Sequence, residues 1–174
     1  MNSSNKRTLI SAISGILTAG AVIASTAASL VPPITSHSFY GWGATKVTDA
    51  SPAGAPAKPV ITITSSAAAA KPWDQGAGAG LLAPVTAGEK LTATFYIKAV
   101  SPGSVQTDFS FEKATAPYKS SVRQAITAGK SWTKQTIPFT SAIALPAKDV
   151  HILFHTGYAK GSFEVAGLTL TSGK

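Results

Sequence analysis

The chain of 174 residues contains no cysteine. Without disulfides or thiolate metal ligands, the fold has to hold by apolar burial and sheet hydrogen bonding. Acidic residues are scarce, seven Asp and Glu against fifteen Lys and Arg, for a net charge of +8. Beyond Arg7 the only arginine is Arg123, and the lysines are scattered rather than aligned. With no basic stripe and no strong helical periodicity, a nucleic-acid role is excluded. Long apolar runs are missing after the N-terminal one, so no second membrane segment is expected.

What is present opens with a leader. Lys6 and Arg7 precede an apolar stretch from Leu9 to Ala24, and small residues follow over Ser25, Thr26, Ala27, Ala28 and Ser29. This is the pattern of a signal peptide over residues 1–28, cleaved near Ala27 or Ala28. Gly15, Gly20 and the many Ala and Ser make the stretch too weakly apolar for a retained anchor. Secretion or a periplasmic location follows, with membrane contact only through the leader, and a cysteine-free exported chain fits a bacterium. Cleavage leaves roughly 145 residues, enough for one domain with a proper core and too few for two. The charge falls to +6 once Lys6 and Arg7 are removed. Such dispersed lysines serve solubility, and they attract polyanions, acidic polysaccharide included, without a dedicated motif.

Residues 29–38, with Pro32 and Pro33 fixing an extended backbone, read as a short lead-in, and residues 39–174 as the domain. Pro52 to Pro59 and Ala67 to Lys71 are connectors, Gly76 to Gly80 a flexible run, and the four alanines before Pro72 are too few for a stable helix. Alternation marks the strands. Leu91, Ala93, Phe95, Ile97 and Ala99 share one face, against Thr92, Thr94, Tyr96 and Lys98 on the other. After the turn Ser101 to Ser104, Val105, Phe109 and Phe111 point inward and Gln106, Asp108, Ser110 and Glu112 outward. Further strands are expected over 60–65, 118–127, 132–140, 150–156 and 162–171. About eight short strands with regular turn signals predict an all-β fold, a β-sandwich with jelly-roll topology.

From about Phe39 to Thr171 the chain resembles the family 4/9-like carbohydrate-binding modules, jelly rolls often appended to secreted glycoside hydrolases and carbohydrate esterases. Lys71-Pro72-Trp73-Asp74 is similar to the family's Asn-Pro-Trp-Asp, and the strand from Ala87 to Ala99, ending Phe95-Tyr96-Ile97-Lys98-Ala99, is similar to its Phe-Trp-Ala-Arg-Ala element. Ser131-Trp132-Thr133-Lys134 before Pro138-Phe139, and Gly161 to Leu170 as a closing strand, complete the likeness. The resemblance implies non-catalytic binding of polysaccharide or cell-wall glycan, with a glycoside hydrolase as a partner. Where members carry an acidic residue near a structural calcium, this chain has Ala166-Gly167-Leu168, so no metal or cofactor is carried over. With no catalytic domain before Lys174, a standalone module serving adhesion, capture or a partner enzyme is expected.

Sugar recognition combines aromatic faces with hydrogen bonds from planar polar side chains. Trp73 and Tyr118 are the first candidates to stack on a ring, with Tyr96, Gln106, Asp108, Arg123 and His155 at polar-face positions to supply edge contacts. Trp132 reads as core. Tyr40 and Trp42 are left out, since their segment aligns only loosely with the family's opening. A glycosidase needs two carboxyls about 5–9.5 Å apart, whereas Asp108 and Glu112, four apart on one strand, are about 13 Å apart. No Gly-x-Ser-x-Gly elbow is present for an esterase. His151 and His155 share that four-residue spacing on a strand, which rules out a shared metal ion; one polar-face contact and one surface residue are expected, with His37 outside the domain. Two alternatives remain: a structural or adhesive cell-envelope protein that binds another protein along a sheet edge, and, less favoured, a small glycoside hydrolase or esterase whose carboxyls come from different strands.

Overall fold

The computed structural model describes residues 28–173, so the expected leader lies outside the described residues but for Ala28. Ten strands run in chain order: β1 (Tyr40–Trp42), β2 (Thr45–Ala50), β3 (Val60–Ser65), β4 (Gly76–Gly80), β5 (Lys90–Ser101), β6 (Val105–Lys113), β7 (Ser120–Ala128), β8 (Thr133–Thr140), β9 (Val150–His155) and β10 (Gly161–Gly173). They form two five-stranded sheets, β1-β4-β9-β6-β7 and β2-β3-β10-β5-β8, with every strand pair antiparallel. Most connections cross from one sheet to the other, as in a jelly roll, so the fold is the expected β-sandwich.

The core lies between the sheets, where the inward residues of both meet. Strand β5 shows the rule most cleanly: Leu91, Ala93, Phe95, Ile97 and Ala99 are buried while their neighbours are not. Phe154 from β9 is the hub of the aromatic cluster, with ring centroids 5.2 Å from Phe95, 5.8 Å from Phe109, 5.9 Å from Phe163 and 6.1 Å from Phe39. Tilted and edge-to-face pairs of this kind add about 0.5–1.5 kcal/mol each beyond the area they bury. In β10 the register slips between Ala166 and Thr169, and Gly167 takes the positive φ of 60° that the bulge requires.

Three segments differ from their sequence reading. Residues 30–34 are part of the domain rather than a lead-in: Val31 and Ile34 are buried in the core, and the Leu30 amide donates to the Leu170 carbonyl at 2.7 Å. Two prolines hid this, because an apolar pair spaced by Pro gives no periodic signal. The supposed flexible run Gly76–Gly80 is strand β4, an inner strand of its sheet between β1 and β9. Ala77 and Ala79 reach the core, while a Cβ on Gly76 would fall on the ring of Trp42. Glycine there makes room for an aromatic side chain lying over the strand. Finally, Trp132 is not core. It is half-buried on the far sheet, with the Lys98 ammonium 4.9 Å from its ring centre.

Candidate functional site

The outer face of the β1-β4-β9-β6-β7 sheet carries a groove walled by aromatic side chains. Alternation puts Tyr40 and Trp42 of β1, the glycines of β4, His151, Leu153 and His155 of β9, and Asp108, Ser110 and Glu112 of β6 on that face, and Arg123 of β7 joins them opposite Ser110. Two loops complete it. The β3–β4 loop turns through one 3-10 turn at Pro72–Asp74 and presents Trp73, and the β6–β7 loop presents Tyr118. The resulting cavity of about 660 Å³ is lined by Tyr40, Trp42, Trp73, Glu112, Tyr118 and Arg123 among others, over a floor that includes Leu153. Trp73 and Tyr118 are 46% and 63% exposed, unusual for such large rings.

The aromatic walls are held in place. The Trp42 indole stands edge-on to His155, centroids 6.5 Å apart, and its Nε1 donates to the Trp73 carbonyl at 3.3 Å, joining strand to loop. Tyr40 packs edge-on to His151 at 5.5 Å and hydrogen-bonds it through its hydroxyl. The Trp73 ring lies 5.1 Å from the Arg123 guanidinium and 5.8 Å from the Lys71 ammonium. Behind it the loop is pinned to the β9–β10 turn, where the Gly157 amide donates to the Pro72 carbonyl at 3.0 Å and the Ala69 amide to the Gly157 carbonyl at 2.9 Å.

Beneath the rings lies a buried polar layer. The Glu112 Oε2 accepts from the Ser110 hydroxyl at 3.0 Å and from Arg123 Nη2 at 3.4 Å. Asp108 accepts a short 2.6 Å bond from the Tyr158 hydroxyl, whose pKa is pushed up to about 12 by desolvation first and then by this carboxylate. His155 is 1% exposed, and its Nδ1 has no hydrogen-bond partner. Burial, reinforced by the nearby Arg123 cation and opposed by Asp108, holds its pKa down to about 4. The imidazole is therefore neutral at pH 7, so its 3.9 Å approach to Glu112 is not an ion pair there. His151 is lowered for the same primary reason, burial, against the pull of Asp149.

Of the seven residues proposed from sequence, Trp73, Tyr118 and Arg123 line the groove. Asp108 and His155 are on its side of the sheet but buried under it, tied to Tyr158 and Trp42, so neither offers an open edge contact. Gln106 is exposed at the start of β6 and does not line the cavity. Tyr96 is the clear correction: it belongs to β5, and its buried neighbours Phe95 and Ile97 turn it onto the outer face of the other sheet. Tyr40, Trp42, Glu112, His151 and Leu153 line the groove and were not chosen. The i, i+2 pairing of Tyr40 and Trp42 was the signal for the first two. Glu112 was readable only as an outward residue of β6. Among the described residues no group of three or more metal-ligating side chains is assembled.

No protein-family model and no curated protein sequence matches this chain. Solved structures do match in shape. A structure described as a CBM4 shares 15% identity over 78% of this chain and 86% of its own, with a TM-score of 0.63. The second N-terminal cellulose-binding domain of β-1,4-glucanase C from Cellulomonas fimi shares 18% identity over 87% of this chain and 98% of its own, at 0.62. The CBM22-1–GH10 modules of xylanase 10B from Clostridium thermocellum, complexed with xylohexaose, share 12% identity over 86% of this chain, at 0.63, and this chain spans 29% of their length. The protein thus has the β-sandwich fold seen in carbohydrate-binding modules.

Proposed function

We propose that this protein binds a polysaccharide or oligosaccharide chain, without catalysis, in the groove between Trp42 and Trp73. The observation that carries the reading is the convergence of four aromatic side chains, Tyr40, Trp42, Trp73 and Tyr118, with one buried carboxylate and one arginine around a single cavity. Flat aromatic faces match the apolar faces of pyranose rings, and Glu112 offers an acceptor for hydroxyls. The fold shared with cellulose-binding and CBM22 modules supports a glycan ligand. Asp108 and Glu112 are not placed as a hydrolytic pair: Asp108 is taken up by Tyr158, and its strand spacing from Glu112 is about 13 Å. The leader read in the sequence supports a site of action outside the cytoplasm, in the periplasm or beyond, with a glycoside hydrolase acting on the same polymer as partner.

The test is calorimetric titration of the protein against soluble xylan, β-glucan, mannan and pectin, with Trp73→Ala alongside. Saturable binding to at least one polymer, weakened about tenfold or more by the substitution, is the expected result. Absence of binding to all four would remove the glycan reading and favour the protein-binding envelope alternative.

A further inference from the structure

Trp73 is the most exposed of the tryptophans, and its short 3-10 turn contains no buried residue. The main chain of the loop is pinned from behind, but the ring itself projects from it. A chain of contacts reaches it from the floor. The Ser110 hydroxyl donates to Glu112 Oε2 at 3.0 Å, Arg123 Nη2 donates to the same oxygen at 3.4 Å, and the Arg123 guanidinium lies 5.1 Å from the Trp73 ring centre. Ser110 and Glu112 are buried, and Arg123 is their cross-strand neighbour on edge strand β7, with its side chain 38% exposed. The guanidinium is planar and always charged, so it can pack on an aromatic ring while keeping a hydrogen bond to a carboxylate.

We infer that Arg123 is a positioning residue of the groove: anchored by Glu112, it holds the Trp73 ring as a wall and sets the separation of Trp73 from Trp42. This departs from the first expectation for Arg123, a direct contact to the ligand. Its consequence for affinity rests on the glycan reading above; its consequence for Trp73 does not. A lysine at the position keeps a cation for Glu112 but loses the planar face, so it does not restore the wall.

The experiment compares the indole N–H resonances of the native protein with those of Arg123→Ala and Arg123→Lys, in the absence of ligand, by ¹H–¹⁵N correlation. The Trp73 signal is assigned by its loss in Trp73→Phe, and thermal melts confirm that each variant is folded. Both Arg123 variants are expected to move or broaden the Trp73 resonance while leaving that of Trp132, on the far sheet, in place. Both are also expected to weaken binding to the polymer found in the calorimetric screen by about five- to tenfold. An unmoved Trp73 resonance with lost affinity would make Arg123 a direct ligand contact and overturn the inference, as would an unmoved resonance with intact affinity. A native protein that binds no polymer would defeat the glycan reading while the indole comparison still decides the role of Arg123.

Discussion

The two outer faces of the sandwich follow one alternation rule with opposite results. On the β2-β3-β10-β5-β8 sheet the outward residues of β5 are Thr92, Thr94, Tyr96 and Lys98, all partly open to solvent. Lys98 and Glu164 form a charge pair at 2.8 Å, without the alignment of a hydrogen bond. On the other sheet the outward residues of β6 that lie under the groove, Asp108, Ser110 and Glu112, are all buried, and only Gln106 at the strand's start is exposed. What differs is the cover. Trp42 and the glycines of β4 let an aromatic layer descend onto the sheet, and Tyr158 closes over Asp108. Burying polar groups is costly unless each is hydrogen-bonded, and here Asp108, Ser110 and Glu112 each have a partner. The groove face is a covered polar layer walled by aromatic rings, while on the opposite face the outward residues of β5 stay partly open and Glu164 of β10 is buried beside Lys98.

The sharpest break of this contrast is in what the two faces share. Phe154 supports the groove strand β9 from inside, and Phe154→Ala should cost about 3–5 kcal/mol, read as a lowered midpoint in urea or guanidinium with both faces lost together. Next comes the glycine that permits the cover. Gly76→Ala drives a methyl group into Trp42 and toward the Phe154 carbonyl, for about 1–3 kcal/mol by overpacking. Its glycan affinity should fall beyond what the melting temperature accounts for, because the Trp42 wall is displaced.

A pH series reads the buried layer directly. His155 has a folded pKa of about 4 against an ordinary value near 6.5. Between those values the unfolded chain takes up a proton that the folded protein refuses. Its contribution is therefore fully present above about pH 6.5 and is lost as pH falls toward 4, about 2 kcal/mol of it between pH 6.5 and 5. Denaturant titrations should show a steeper loss over this range for the native protein than for His155→Gln. The smallest effect belongs to the far face: Tyr96→Thr should change stability by less than about 1 kcal/mol and leave glycan affinity unchanged.

Most of the fold was legible because it rests on alternation. The β5 pattern from Leu91 to Ala99 and the Phe109 and Phe111 pair of β6 named the core face directly. Strand β4 was not legible, since Gly76 to Gly80 reads as flexible until the Trp42 ring that occupies the missing side-chain space is known. Val31 and Ile34 were hidden by their prolines. Within the site, Trp73, Tyr118 and Arg123 could be chosen because each is a rare residue type at a loop or outward position. Tyr96 shared those marks and failed, because alternation says which residues face outward but not to which of the two sheets the strand belongs. That assignment comes from pairing across the chain, as in the neighbours β10 and β8 that flank β5.

The most direct measurement of the contrast between the faces is the affinity of Trp42→Ala and of Trp132→Ala for the polymer that the native protein binds best. Trp42 lines the groove and Trp132 stands beside Lys98 on the opposite sheet. The expected result is binding abolished or weakened at least about tenfold in Trp42→Ala and unchanged in folded Trp132→Ala. Native affinity in folded Trp42→Ala, or loss of binding in folded Trp132→Ala, would contradict the assignment of the groove as the binding face.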